Sequence, residues 1–309
     1  MKPLLLLVVK AAISASLLYL AFRGVNLDVV GERLNRINPG WFATVILILV
    51  GQIFLIALRW RIVARECGIS ISPRTAWRLN LIAAFFNQTL PSSVGGDAAR
   101  IWFMAHRSNW KDATYSVLID RVAGVTALAV LVVICLPWGF ELIRNPAGRA
   151  TLMLIGFGSI AAFVVFLALG WVRRSWLERW WLTAHLASAA VITRALFSSA
   201  RTGSVVAALS ITIHLLTVAA AWSAARAAEV PFDPMHALLL MPPVILVATI
   251  PISIAGWGVR ESAMMTAFGY AGLAQTDGLI VSVLYGAAMF LTGVLGGIVW
   301  ILNRTERPS

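Results

Sequence analysis

Long runs without a charged residue recur along this 309-residue chain. Trp41 to Leu58 has 18 such residues, Ala150 to Val172 has 23, and Thr202 to Ala225 has 24 with a single His inside. A helix needs roughly 20 apolar residues to cross the hydrocarbon layer of a bilayer. Peptide groups in lipid must find partners within their own segment, so spanning helices are the natural outcome of such runs. Their recurrence over the whole length excludes a lone signal peptide. The chain is 12% charged, against about 25% in soluble domains. The expected fold is therefore all-α and polytopic. One transmembrane domain is expected over 1–309, with no second, soluble domain.

Six full spans are expected, at 4–22, 41–58, 116–136, 151–170, 204–224 and 279–302. Two connections are strongly basic: Arg59–Arg78 and Trp171–Gly203 each hold five Arg against one Glu. The segments 23–40 and 141–149 sum to +1 each, and 223–236 sums to −1. Basic loops favour the cytoplasm, so both termini and both basic connections are expected inside a plasma (inner) membrane. The Trp and Arg of "SWLERWWLTAHLASAAVITRALF" fit a helix lying in the headgroup layer, or a partly buried helix end at Arg194. Loops account for the net charge of +12, so no nucleic-acid partner is expected. Cys67 and Cys135 are too few for a disulfide framework. They and the scattered His106, His185, His214 and His236 suggest no metal site, and no cofactor is expected.

Two stretches break the apolar pattern. The first reads "AFFNQTLPSSVGGDAARIWF" and the second "TIPISIAGWGVRESAMMTAF". Aligning Pro91 with Pro251 places Ser93 on Ser253, Gly96 on Gly256 and Arg100 on Arg260. The shared pattern is P-x-S-x-x-G-x-x-x-R, an internal repeat with copies near 87–100 and 247–260. Repeated broken helices are a recurrent design of membrane carriers. With six spans and both termini inside, 79–112 and 235–275 must each enter and leave on one side, from opposite faces of the membrane. That describes two inverted re-entrant hairpins. The competing count makes each arm a short full crossing, up to ten in all. Pro242, Pro243 and Pro251 are expected to break the second segment.

The interruptions carry the candidate chemistry. Pro and Gly favour a hairpin tip, and a new helix start presents backbone N–H groups to an anion. Asp97 is placed to cap the helix that carries Arg100. The Arg100 guanidinium matches phosphate oxygens in a two-point fork, and Arg260 with Glu261 repeats the arrangement. Asn87, Gln88 and Ser92 add neutral hydrogen-bonding groups. Asp120 and Arg121, in the first turns of a span, face the same cavity or pair internally. The two tips are thus expected to form one central site for a lipid headgroup, with a structural ion-pair role as the alternative. His214 sits within a span, and Lys10 is placed to snorkel.

"FFNQTLPSSVGGDAARIW", "LIDRVAG" and "PISIAGWGVRE" together resemble the membrane domain of lysylphosphatidylglycerol synthases, a flippase-like family, over about residues 5 to 300. In bifunctional members of that family this domain is thought to move an aminoacylated phospholipid between leaflets. A separate soluble domain attaches the amino acid. The chain ends at Ser309, soon after its last span, so a standalone membrane domain without synthase activity is what the resemblance implies. The motif residues carried over are Asn87, Pro91, Gly95, Gly96, Asp97, Arg100, Asp120, Arg121, Gly256, Gly258, Arg260 and Glu261.

Three functions fit these observations. A flippase or carrier for an anionic or phosphate-bearing lipid is favoured by the broken helices and the matched Arg pair. A partner subunit of a lipid-modifying enzyme is the second. An enzyme acting on a lipid phosphate is the third, with Asp97, Asp120 and Glu261 as its carboxylates. Membrane lipids are the expected partners, and the absence of a GxxxxGK[ST] motif argues against ATP as the driver.

Overall fold

The computed structural model describes residues 2–23, 27–90, 94–171 and 181–302. Among them are twelve helices and no strand: α1 (Lys2–Arg23), α2 (Leu27–Asn35), α3 (Pro39–Glu66), α4 (Pro73–Thr89), α5 (Gly95–Ala105) and α6 (Trp110–Leu142), then α7 (Pro146–Ala168), α8 (Trp181–Ser198), α9 (Ala200–Ala227), α10 (Pro234–Ala248), α11 (Val259–Tyr270) and α12 (Gln275–Leu302). The fold is an all-α, polytopic membrane fold. Of the described helices, α3, α6, α7, α9 and α12 are long and apolar enough to cross a membrane. At 22 residues α1 has spanning length as well.

Local sequence sets where these helices begin. Asn38, Ser72, Asn145 and Asp233 each precede or lie next to a Pro in the first turn, and Asn109 and Ser199 act without one. All six side chains accept a hydrogen bond from an N–H of the first turn, which satisfies one of the donors a helix start leaves over.

Two expectations need correction. The basic stretch Arg59–Arg78 is mostly helix, not loop. α3 runs on to Glu66 and α4 starts at Pro73, so Arg59 and Trp60 are buried inside the bundle. α10 also continues through Pro242 and Pro243, and the break comes at 249–258. A Pro removes one donor and crowds the preceding turn, but these two rings lie buried among packed helices that hold the chain helical.

The interrupted segments are helical hairpins. α5 folds back along α4: Gly96 lies on Ala83 and Asn87, and Arg100 reaches Asn80. α11 folds back along α10, with Phe268 stacked on Phe232 just before it. At 1.5 Å per residue the 11 residues of α5 and the 12 of α11 rise about 17–18 Å, short of the roughly 30 Å hydrocarbon core. The hairpins enter from opposite ends of the bundle. The open end of α4–α5 packs with the end of α3 and the start of α6, through Ala64, Ala76, Met104 and Ala113. The open end of α10–α11 lies where α6 finishes, with Tyr270 against Gly148 beside Ile143.

Helix boundaries recur about 160 residues apart. Pro39–Glu66 recurs as Ala200–Ala227, Pro73–Thr89 as Pro234–Ala248, and Trp110–Leu142 as Gln275–Leu302. Packing recurs too. α3 touches α4, α6 and α12, while α9 touches α10, α12 and α6; α4 lies on α12 as α10 lies on α6. α3 and α9 run antiparallel. The Asn38 N–H donates to the Ala227 carbonyl at one end, and Arg59 meets Ser210 towards the other.

The remaining helices lie outside this core. α1 packs on α11 and on the tip before it, where Ser14 Oγ accepts the Ile254 N–H at 2.9 Å. α8 buries Ala189 and Leu196 in a cluster with Val63, Ile119 and Val206, and Arg194 lies 4.4 Å from the centre of the Trp171 ring.

Candidate functional site

A cavity of about 360 Å³ opens beside the first hairpin, among α3, α4, α5, α6, α9, α10 and α12. One connected network of charged groups lines it. Asp120 is its centre: Oδ1 accepts from Arg59 Nε at 2.8 Å, and Oδ2 from Arg100 Nη1 at 3.2 Å. Asp97 Oδ1 accepts from Arg100 Nη2 at 2.5 Å, and its Oδ2 accepts from Arg121. Arg59 also donates to Ser210 Oγ at 3.0 Å, and Arg100 to Asn80 Oδ1 at 3.3 Å. The Trp60 ring lies 5.1 Å from the Arg100 guanidinium.

Backbone geometry makes this possible. A Cβ on Gly96 would collide with the Ala83 carbonyl and the Asn87 amide, so a side chain there would push α5 off α4. Gly95 is equally close to Phe86 and Leu90. The Gly96 N–H donates to Asn87 Oδ1 at 2.8 Å, so the start of α5 is capped from α4. Asp97 is therefore not the cap it was expected to be: it lies inside the first turn, and two guanidinium groups take its carboxylate. Gly124 leaves room for Arg59, whose Nη1 lies 3.0 Å from where a Cβ would be.

The arithmetic of charge is informative. Arg59, Arg100 and Arg121 contribute +3, and Asp97 and Asp120 contribute −2, leaving +1. Side-chain exposure is 12% or less for every member except Arg121, at 32%. An uncompensated buried charge is strongly unfavourable, so buried charges are ordinarily paired. Arg100 Nε is buried with no hydrogen-bond partner among the described residues. Around the charges, Leu49, Ile53, Ile56, Val125, Leu128 and Met289 supply apolar wall, and Gln52, Gln88, Thr249 and Thr292 supply neutral polar groups.

The second motif is built differently. Glu261 Oε1 accepts from Arg260 Nη2 at 2.6 Å and from Ser282 Oγ at 3.0 Å, while Oε2 accepts the Gly258 N–H at 2.6 Å. The pair is neutral and enclosed, with side-chain exposures of 4% and 0%. Trp257 and Tyr285 rings flank the guanidinium at 5.0 and 5.8 Å. Ala255, Gly256 and Gly258 all have positive φ, so the tip makes a tight left-handed turn. Ser253 is buried there.

The structure thus brings Asn87, Gly95, Gly96, Asp97, Arg100, Asp120 and Arg121 together at or beside the cavity. It keeps Ser253, Gly256, Gly258, Arg260 and Glu261 out of its lining. Tyr285 and Met289 stand between, lining the cavity and touching Arg260 behind. Ser92, with Pro91 and Ser93, lies outside the described residues.

Sequence reasoning missed Arg59, Asn80 and Ser210. Arg59 had a readable signal: Gln52, Ile56, Arg59 and Val63 fall at helical spacing on one face. Asn80 and Ser210 carried none, since single polar residues in apolar helices are common.

A family model described as lysylphosphatidylglycerol synthase TM region matches residues 7–297, nearly the whole chain. The search of curated proteins gives no match.

Proposed function

The chain belongs to the lysylphosphatidylglycerol synthase TM region family, and we propose that it is a carrier moving an anionic, phosphate-bearing lipid between membrane leaflets. Family membership gives it a lipid-related role in a membrane. The observation that carries the finer reading is the cavity's unbalanced charge: three guanidinium groups and two carboxylates, joined by hydrogen bonds and walled by apolar side chains. One negative charge completes the balance, and a phosphate offers oxygens to the Arg121 and Arg100 donors. A volume of about 360 Å³ falls at the small end of ligand pockets, about 300–1,000 Å³, which suits a headgroup with its acyl chains lying outside.

Each carboxylate near the cavity is held by guanidinium groups, so none stands free as a general acid or base. That favours binding over catalysis. We further propose that 39–142 and 200–302 are inverted copies of one four-helix unit. The recurring boundaries, the matched packing and the antiparallel α3 and α9 support this. The basic end, with Arg61, Arg65, Arg74 and Arg78, is assigned to the cytoplasm of a bacterial-type inner membrane.

Leaflet exchange of labelled lipids in vesicles holding the purified protein tests the carrier. Exchange of anionic phospholipid or polyprenyl phosphate above empty vesicles is expected, reduced in Arg121→Gln at equal folded protein. Folded wild-type protein that leaves every anionic lipid in its original leaflet would sink the proposal.

A further inference from the structure

The cavity contains an imidazole that the charge balance above does not use. His214, on α9, places Nε2 at 2.8 Å from the carbonyl oxygen of Gly124 on α6. A carbonyl only accepts, so Nε2 carries the ring proton and Nδ1 is the basic nitrogen. Nδ1 makes no hydrogen bond to any described residue. The charged and titratable groups around the cavity come from every side. α3 presents Arg59, α6 presents Asp120 and Arg121, α12 presents Tyr285, and α5 presents Asp97 and Arg100. α10 lends Ile245 and no charged group, and α8 has no part in the lining.

With a neutral imidazole the cavity holds +1; with a proton on Nδ1 it holds +2. The extra charge would sit among three guanidinium groups and is repelled by them, unless an anion is present to offset it. Anion and proton therefore favour each other, and by linkage the effect is reciprocal.

We infer that His214 is the proton-responsive residue of the cavity, taking up a proton at Nδ1 when an anionic headgroup binds and releasing it when the headgroup leaves. The proton comes from water and returns to it, and no other bond is made or broken. The inference rests on the headgroup reading. It adds that lipid affinity rises on acidification, and that His214 is the cause.

The test uses the full chain in nanodiscs of zwitterionic lipid and a short-chain phosphatidylglycerol, a phosphodiester whose charge stays fixed through the neutral range. Wild-type affinity should rise on the order of tenfold from neutral to acidic pH, as expected for one added charge in the same cavity as the anion. His214→Gln keeps an amide donor for the Gly124 carbonyl. It should bind with the wild-type's neutral-pH affinity at every pH. Calorimetry of the wild-type protein in buffers of different ionisation heat reads proton uptake directly and needs no variant. Binding that is pH-independent with no proton uptake overturns the role of His214 and leaves the headgroup site standing. A pH dependence that persists in His214→Gln assigns the proton elsewhere and overturns it as well. Wild-type protein that binds no phosphatidylglycerol at any pH overturns the headgroup reading itself.

Discussion

The hairpins α4–α5 and α10–α11 carry an arginine at the same place, but the two arginines keep different company. Arg100 shares Asp97 and Asp120 with Arg59 and Arg121, and the group is left one positive charge over. Arg260 has Glu261 beside it, enclosed with Ser282 and capped by two aromatic faces. The tips differ as well. α1 covers the second, where Leu17 and Ser14 meet Gly258. On the first, Val94, Ala98 and Trp102 are exposed along one stripe of the hairpin. A shared motif therefore sets the local turn and the helix that follows. The company each arginine keeps differs: Glu261 on its own helix neutralises Arg260, whereas Asp120, Arg59 and Arg121 join Arg100 and Asp97 from other helices.

The largest effects should come from stranding a charge. Asp120→Asn leaves Arg59 and Arg100 without their common partner and should lower stability by about 3–5 kcal/mol, read from unfolding in detergent. Glu261→Ala should do similar damage by isolating Arg260. The comparison sharpens with a neutral double replacement. Arg260→Met with Glu261→Gln should recover most of that stability and keep lipid exchange, because a buried pair is often replaceable by apolar groups. Loss of exchange in a stable double variant would make the second hairpin part of the binding site and break the contrast.

Glycine substitutions come next. Gly96→Ala drives a Cβ into the Ala83 carbonyl and should destabilise by about 1–3 kcal/mol, with exchange reduced as α5 is pushed off α4. Gly256 holds the matching place but has open space, its nearest neighbour being the Ala248 carbonyl at 3.8 Å, and a φ of +80°. Gly256→Ala should cost about 1–2 kcal/mol, from backbone strain alone. Equal losses of exchange in the two variants would argue that the tips do the same job.

Arg121→Gln is expected to spare stability, because a partly exposed ion pair contributes about 1 kcal/mol or less. It removes the cavity's surplus charge, so affinity for a monoanionic lipid should fall about tenfold in a titration. The smallest effect concerns labelling. Burial, aided by Asp112 and Glu66, pushes the Cys67 thiol up to about 12. A thiol reacts as its thiolate, so native protein near neutral pH should resist alkylation at Cys67 until unfolded. With Cys135 also buried, this background suits single cysteines placed at Ala98 on the first hairpin and Ser262 on the second. Ala98→Cys should label faster.

Much of the fold was legible in the sequence because uncharged runs and Pro/Gly interruptions have direct consequences in lipid. Boundaries were harder. The charge at Arg59 ended the second apolar run, yet α3 continues because Arg59 finds Asp120 in the bundle and need not reach water. Pro242 and Pro243 looked like breakers, yet α10 persists because tertiary packing holds the turn. At the site, Asp97, Arg100, Asp120 and Arg121 stood out as charges in apolar surroundings. The Asp97–Arg100 ion pair, three residues apart, was readable as an alternative; the wider network was not, since it joins residues up to 61 positions apart, as in Arg59 and Asp120. Nor was the inequality of the two tips, which depends on Glu261 turning back onto Arg260 and on α1 lying over Gly258.

The contrast between the hairpins comes to a point in where a headgroup phosphate rests: at the first and not at the second. An electron cryomicroscopy structure of the protein in nanodiscs rich in anionic phospholipid would test it most directly. Phosphate density is expected in the cavity within reach of Arg121 and Arg100, with the Arg260–Glu261 pair closed and unliganded. Phosphate bound at Arg260, or a cavity empty of headgroup in lipid-saturated protein, would contradict it.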